Sequence, residues 1–345
     1  MKRGATSDSL KLVVDDKIPY LHGQAEKLGT VHYLPGAAIT AADVREADVL
    51  IVRTRTRCDR ALLEGSSVKF VATATIGFDH LDTDYLNKAG IGWANCPGCN
   101  AASVGQYVST SLIRLARAGF VRLDQCRVGI VGVGHVGAAV DKAVRALGCT
   151  TLLCDPPRAE VEHLPDFVPM DTIYREADVI TFHTPLTREG RWATLHLADF
   201  SRMVRRPVVI NAARGEVVDN GAWLQALQDG KVSAAVVDTW ENEPRISPSL
   251  LERAFIATPH IAGYSADGKA TGSRMALEAV ARYFHRDVTF DIQPPALPAS
   301  LVPADDPLDR ALQLYDPLTD TAALKAHPER FEWLRGNYPL RREHF

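Results

Sequence analysis

Three short polar segments in the second half of the chain each follow a β-like apolar run, and each carries a residue able to do chemistry. Val208-Val209-Ile210 leads into Asn211-Ala212-Ala213-Arg214-Gly215, and Val236-Val237 into Asp238-Thr239-Trp240-Glu241-Asn242-Glu243-Pro244. Phe255-Ile256-Ala257 leads into Thr258-Pro259-His260-Ile261-Ala262-Gly263-Tyr264. A core needs none of these polar groups. Taken singly, Arg214 reads as a surface charge, Glu243 as a solvated turn and His260 as a hydrogen-bonded loop histidine. Taken together they supply a cation, a carboxylate and an imidazole at the carboxyl ends of strands, where an open α/β sheet binds its ligands.

That set suits hydride transfer between an alcohol carbon and a nicotinamide. A base must take the hydroxyl proton, and histidine is the side chain that titrates nearest neutrality. Glu243 is expected to orient the imidazole of His260, to stabilise its protonated form and so to raise its pKa. Arg214 can grip a substrate carboxylate with two parallel hydrogen bonds and polarise the adjacent carbonyl in the reverse direction. The expected substrate is a 2-hydroxy acid.

The cofactor half of such a reaction is legible upstream. Val128 to Val131 is a strand-like run that enters Gly132-Val133-Gly134-His135-Val136-Gly137, and a helix-compatible stretch follows to Leu147. In this G-x-G-x-x-G pattern Gly132 permits the tight turn, Gly134 lets backbone approach a pyrophosphate, and Gly137 lets the helix pack close to the strand. His135 and Val136 open the helix, whose N-terminal N–H groups and positive dipole end suit an anion. A second strand, Thr151 to Cys154, ends in Asp155, about 20 residues on, where an acid is expected to bind the ribose. Its charge accepts from a 2′-hydroxyl and repels a 2′-phosphate, which favours NAD over NADP. Arg158 beside it is the one cation that speaks the other way.

The elements that must position these groups follow from the alternation of short apolar runs with helical stretches. In the first 99 residues strands are expected at 11–15, 31–34, 49–52, 70–73 and 91–94, with amphipathic segments Pro19–Leu28, Ala41–Ala47 and Thr83–Ala89 between them. Asn100–Ala118 reads as a long helix, and six further strands follow at 128–131, 151–154, 179–181, 208–211, 234–237 and 255–257. This rhythm predicts an α/β chain with two parallel-sheet domains, Rossmann-like or flavodoxin-like, separated by an interdomain cleft. The domains are a substrate-binding lid, 1–99, completed by a helix at 265–286, and a NAD-binding domain, 100–264. A proline-rich break, Gln293 to Pro298, then precedes a small C-terminal α+β dimerisation domain, 291–345.

Composition excludes several other classes. A formal net charge of -3, from 39 basic and 42 acidic residues, leaves no electrostatic footprint for nucleic acid or an anionic membrane. No apolar run is long enough for a membrane helix, and Met1 to Leu10 lacks the apolar core of a secretory signal, so a cytoplasmic protein is expected. The six cysteines are too few and scattered for a disulfide framework. Cys96-Pro97-Gly98-Cys99 lacks the second pair or histidines of a zinc site, and no metal is expected.

These motifs together resemble the D-isomer-specific 2-hydroxyacid dehydrogenases. The resemblance rests on GIVGVGHVG, Asp155, FHTPL at Phe182–Leu186, NAARG, VDTWENEP and PHIAGY. It extends to VVDDKIPY at Val13–Tyr20, KFVATATIGFDHLD at Lys69–Asp82, LLCDPPRA at Leu152–Ala159 and the terminal NYPLRRE. The resemblance implies that Arg214, Glu243 and His260 are catalytic, and that Asp155, Thr184, Asp238 and Gly263 contact NAD. It also places substrate contacts at Thr54, Thr75 and Tyr264. Arg53 is a candidate for a substrate phosphate, and Arg341 is expected to reach the phosphate held by the other subunit of a homodimer. A narrower likeness, over nearly the whole chain, is to the branch that oxidises a phosphorylated hydroxy acid, 4-phospho-D-erythronate, in vitamin B6 biosynthesis.

Two alternatives share the same motifs: another dehydrogenase of the family, such as one acting on 3-phosphoglycerate, or a non-catalytic NAD-sensing corepressor. A third, a nucleotide-binding loop spelled by Gly263 to Lys269, lacks its hydroxyl residue because position 270 is Ala. A helix entry capped by Ser265 or Asp267 is the expected reading there.

Overall fold

A computed structural model describes residues 9–162 and 166–345. Residues 1–8, read above for a secretory signal, lie outside the described residues. The chain forms two compact units, 1–100 with 266–296, and 101–265 with 297–345.

The first unit is built on five parallel strands: β1 (Leu10–Asp15), β2 (Gly29–Leu34), β3 (Val49–Val52), β4 (Phe70–Thr73) and β5 (Gly92–Ala94). Their order is β2-β1-β3-β4-β5, so the winding reverses between β1 and β3. Every residue of β3 and β4 is buried, which is why these strands read as unbroken apolar runs rather than alternating ones. The helix Ala266–Tyr283 covers one face, with Ala270, Ala276, Leu277 and Val280 in the same core as Leu12, Ile51 and Ala72. Lys269 lies inside this helix, so the Gly263–Lys269 stretch forms a helix entry and not a phosphate loop.

The expected helix over Pro19–Leu28 does not form; one 3-10 turn, Ala25–Lys27, stands in its place. Tyr20 and Gly23 adopt φ of 64° and 79°, and left-handed residues cannot continue a right-handed helix.

The second unit carries six parallel strands: β6 (Arg127–Val131), β7 (Thr150–Cys154), β8 (Val179–Phe182), β9 (Val208–Asn211), β10 (Ala234–Val237) and β11 (Ile256–Ala257). The order β11-β10-β9-β8-β6-β7 reverses between β6 and β8, which puts the ligand crevice past the carboxyl ends of those two strands. Helix Ala101–Arg117 buries Val104, Tyr107, Val108, Leu112 and Leu115 in one core with Val140 and Val144 of helix His135–Ala146.

Residues 297–345 join this unit as helices Pro307–Leu314, Pro317–Ala326 and Phe331–Gly336. The first two start on Asp306 and Asp316, whose side chains accept from the opening N–H groups, each followed by a proline at the first helical position. The expected α+β character is absent here: among the described residues the stretch is helical, apart from an isolated bridge between Ser265 and Arg341. Leu324 and Phe331 complete a core that includes Trp223 and Trp240.

All six cysteines are free thiols. Cys96 donates to Thr73 O and Gly272 O, and burial pushes its thiol up to about 12, the behaviour of a structural cysteine rather than a redox one.

Candidate active site

The glycine turn closes β6 and opens helix His135–Ala146 as its spacing requires. Gly132 has φ of 85°, and a Cβ on Gly137 would lie 2.0 Å from Gly132 O, so neither position accepts a side chain. Gly134 is different: a Cβ there would meet nothing within 4 Å. The helix starts at Gly134 with no side-chain cap, leaving its first N–H groups directed into that open space. Across the switch point, Thr184 Oγ1 and His183 Nδ1 are buried without a hydrogen-bond partner. An open backbone cradle, an uncapped helix end and an orphaned hydroxyl fit a pyrophosphate dinucleotide.

Asp155, past β7, accepts from Val133 N at 2.8 Å and from Arg158 N at 3.2 Å, so it braces the glycine turn. Arg158 is held by both oxygens of Glu162 and by the Val133 carbonyl. That occupation engages all three of its nitrogens within the protein.

The three strand-end residues are arranged as follows. His260 Nδ1 lies 2.8 Å from Glu243 Oε2, while Glu243 Oε1 accepts from Trp240 N at 2.9 Å. Burial pushes the Glu243 carboxyl up, but the imidazole, the Trp240 N–H and the Arg335 charge outweigh it and hold the group below its ordinary range. An ionised Glu243 accepts the Nδ1 proton, which leaves Nε2 as the basic nitrogen. Arg214 is exposed, with one terminal nitrogen donating to its neighbour Ala213 O at 2.7 Å and the rest of the fork open. Asn211 shapes this segment, donating to Arg214 O and accepting from Ala213 N.

Asp238 is buried and anchors the histidine loop. Its carboxyl accepts from Thr258 Oγ1, Ile261 N and Ala262 N at 2.7, 2.8 and 3.0 Å. Asp238, expected at the cofactor, is 1% exposed and has both carboxyl oxygens engaged by the loop. Gly263 and Tyr264 follow on the same loop, both half-buried.

Two arginines of the C-terminal stretch change the sequence reading. Arg341, expected at a substrate phosphate, is 7% exposed and spends its five N–H groups inside its own unit. Nε donates to Gln106 Oε1; one terminal nitrogen donates to Ile261 O and Tyr338 Oη, the other to Ser103 O and Ala262 O. A guanidinium with every donor matched has none to give a phosphate. Arg335, which the sequence did not single out, lies 3.6 Å from Glu243 Oε2, and Glu243 and Tyr264 both favour its charged form. No local motif marks Arg335, because its partners come from other elements.

Comparison with known proteins identifies the family. A family model described as D-isomer specific 2-hydroxyacid dehydrogenase, NAD binding domain, matches residues 105–262. Erythronate-4-phosphate dehydrogenase of Bacteroides thetaiotaomicron is 51% identical over 338 residues, covering 97% of each chain. The enzyme of that name from Citrobacter koseri is 44% identical, covering 97% of this chain and 92% of its own. The chain belongs to the D-isomer-specific 2-hydroxyacid dehydrogenase family. It is an NAD-dependent oxidoreductase. Among solved structures, D-lactate dehydrogenase from Aquifex aeolicus, complexed with NAD and lactic acid, shares the fold with a TM-score of 0.59. The match has 23% identity and covers 80% of this chain and 95% of that one.

In the first unit of this dehydrogenase, Arg53 and Thr54 follow β3 and Thr75 follows β4. Arg53 makes a two-pronged pair with buried Asp15, at 3.0 and 3.2 Å, which fixes the plane of its guanidinium and leaves one terminal nitrogen. Thr54 is exposed. Thr75 Oγ1 lies 2.7 Å from Thr73 Oγ1 and donates to Gly77 O at 2.8 Å, so its lone pairs, rather than its proton, face any ligand. Among the described residues no group of three or more His, Cys, Asp or Glu is placed to hold a metal.

Proposed function

We propose that this dehydrogenase oxidises 4-phospho-D-erythronate to 2-oxo-3-hydroxy-4-phosphobutanoate with NAD, a step of pyridoxal 5′-phosphate biosynthesis. The observation that carries the reading is the His260–Glu243 pair at 2.8 Å, past the carboxyl ends of β10 and β11 with Arg214 past that of β9, in a chain 51% identical to an erythronate-4-phosphate dehydrogenase over nearly its full length.

Bound NAD supplies the acceptor for the hydride leaving C2. His260 Nε2 takes the proton of the C2 hydroxyl, and Glu243 stabilises the imidazolium that results. Arg214 holds the substrate carboxylate in a bidentate grip, which orients C2. Thr54, Thr75, Tyr264 and the remaining Arg53 nitrogen are the substrate contacts in this reading, while Thr184, Asp238, Gly263 and Asp155 serve the cofactor. The protein works as a cytoplasmic homodimer.

The test is NADH formation from 4-phospho-D-erythronate, unphosphorylated erythronate and 3-phosphoglycerate. Preference for the first by about 10² in kcat/KM supports the reading; preference for 3-phosphoglycerate assigns the chain to another branch, and no turnover of any acid favours an NAD sensor.

A further inference from the structure

The loop that carries His260 is gripped from two sides. On one side stands Asp238: Ile261 N and Ala262 N donate to its carboxyl, and His260 N donates to its main-chain carbonyl at 2.9 Å. On the other stands Arg341, whose guanidinium donates to the carbonyls of the same two residues, Ile261 at 3.1 Å and Ala262 at 2.6 Å. The peptide between Ile261 and Ala262 is therefore held at its N–H by a carboxyl and at its C=O by a guanidinium, while the peptide before it is held at its N–H and the one after it at its C=O. The middle peptide can neither tilt nor flip without breaking bonds to buried groups, which is costly.

His260 needs this support. Its φ is 58°, a left-handed conformation that costs energy for a residue other than glycine and is kept only where its surroundings over-determine it. The conformation aims the ring at Glu243.

Arg341 is itself placed with care. Its guanidinium stacks on Tyr315 at 3.9 Å and is fixed along its edge by Gln106 and Ser103 of helix Ala101–Arg117. The residues around it are tied to the same helix: Gln106 donates to Arg342 O, and Ser103 and Ser265 both donate to Glu343 Oε1. Burying a guanidinium is expensive; two of its five donors go to the carbonyls next to the base, and the other three hold it to Gln106, Ser103 and Tyr338.

We propose that Arg341 is a positioning residue for proton transfer: through the carbonyls of Ile261 and Ala262 it holds His260 against Glu243, so that the C-terminal stretch sets the geometry of the base. The proposal rests on His260 being the proton acceptor.

The experiment compares Arg341→Lys and Arg341→Ala with the full-length wild-type chain. Lysine keeps the charge but cannot fork between two carbonyls. Kinetics with 4-phospho-D-erythronate should show kcat lower by about 10²-fold with KM and NAD affinity within about threefold. Guanidinium ion should restore part of the kcat of Arg341→Ala and none of that of His260→Ala. Hydrogen exchange of residues 258–264 should accelerate in both Arg341 variants, a readout independent of substrate identity. If Arg341→Ala does not fold, Arg341→Lys carries the test alone. A folded variant with wild-type kcat overturns the proposal, as does a loss confined to KM, which would return Arg341 to the substrate. Unchanged exchange over 258–264 overturns it even should the wild-type protein turn over no acid at all, the outcome that would sink the proposed function instead.

Discussion

His260 Nδ1 and Glu243 Oε2 are 2.8 Å apart, and the second oxygen of the same carboxyl is held by Trp240 N. The carboxyl cannot rotate away from the ring without giving up a buried N–H, so one hydrogen bond fixes both the orientation of the imidazole and the nitrogen that carries its proton.

Glu243→Gln tests that coupling. The amide keeps the shape but can present N–H to Nδ1, which favours the tautomer with its proton on Nε2, and it no longer stabilises the imidazolium. We expect kcat to fall by about 10²- to 10⁴-fold, the scale on which orienting carboxylates of histidine bases act, with NAD affinity unchanged in a fluorescence titration. A loss below tenfold would mean that Glu243 does not orient the base.

Arg335 stands 3.6 Å from Glu243 Oε2 and helps to hold that carboxyl below its ordinary range. Removing the cation lets Glu243 bind a proton at higher pH. The same loss of positive charge lets the coupled Glu243–His260 pair keep its protons to higher pH, so the acid limb of the kcat/KM profile of Arg335→Gln should move upward in pH. A limb that stays in place would assign it to another group.

Gly134 and Gly137 should respond oppositely to alanine. A Cβ at Gly134 meets no protein atom within 4 Å, whereas at Gly137 it would lie 2.0 Å from Gly132 O. Gly134→Ala is expected to fold with a melting temperature near wild type and to bind NAD at least about tenfold more weakly, because the methyl occupies the path of the pyrophosphate. Gly137→Ala is expected to lose stability first. Thermal melts with and without NAD separate the two, and undiminished NAD binding by Gly134→Ala would remove the pyrophosphate from this turn.

Asp320 sits on helix Pro317–Ala326, where burial raises its carboxyl to about 6 against the opposing charge of Arg341, and Tyr338 Oη lies 3.2 Å from it. The folded state thus prefers the protonated form: the contribution is fully present below about pH 4 and is lost as pH rises through about 6. Asp320→Asn should be more stable than wild type at pH 8, by on the order of 1 to 3 kcal/mol, with the difference closing near pH 4. Denaturant titrations at both values check it; equal stabilities at pH 8 would show that the ionised carboxylate is fully compensated.

Much of the fold is legible from local pattern alone. Strands such as Val49–Val52, Phe70–Thr73 and Val208–Asn211 stand where the apolar runs place them, because a parallel sheet covered on both faces buries every residue. Helix Thr83–Ala89 follows in the same way, capped by Asp82 and closed by Gly90 in the left-handed region. The segment Pro19–Leu28 is not legible, since amphipathic spacing says nothing of the φ that packing imposes on Tyr20.

For the candidate site, local pattern was enough to single out the glycines of the turn after β6, Asp155 at the next strand end, and Arg214, Glu243 and His260 in the three segments past β9, β10 and β11. Each lies a few residues from the strand that aims it, so type and spacing suffice. Tertiary structure alone decided what Arg341 and Arg335 do. Arg341 meets Ile261 from 80 positions away, and a buried cation takes its role from the acceptors that packing brings to it. Motif reading assigned it to a phosphate; the fold turned its five donors inward, two of them onto the carbonyls of Ile261 and Ala262 beside His260.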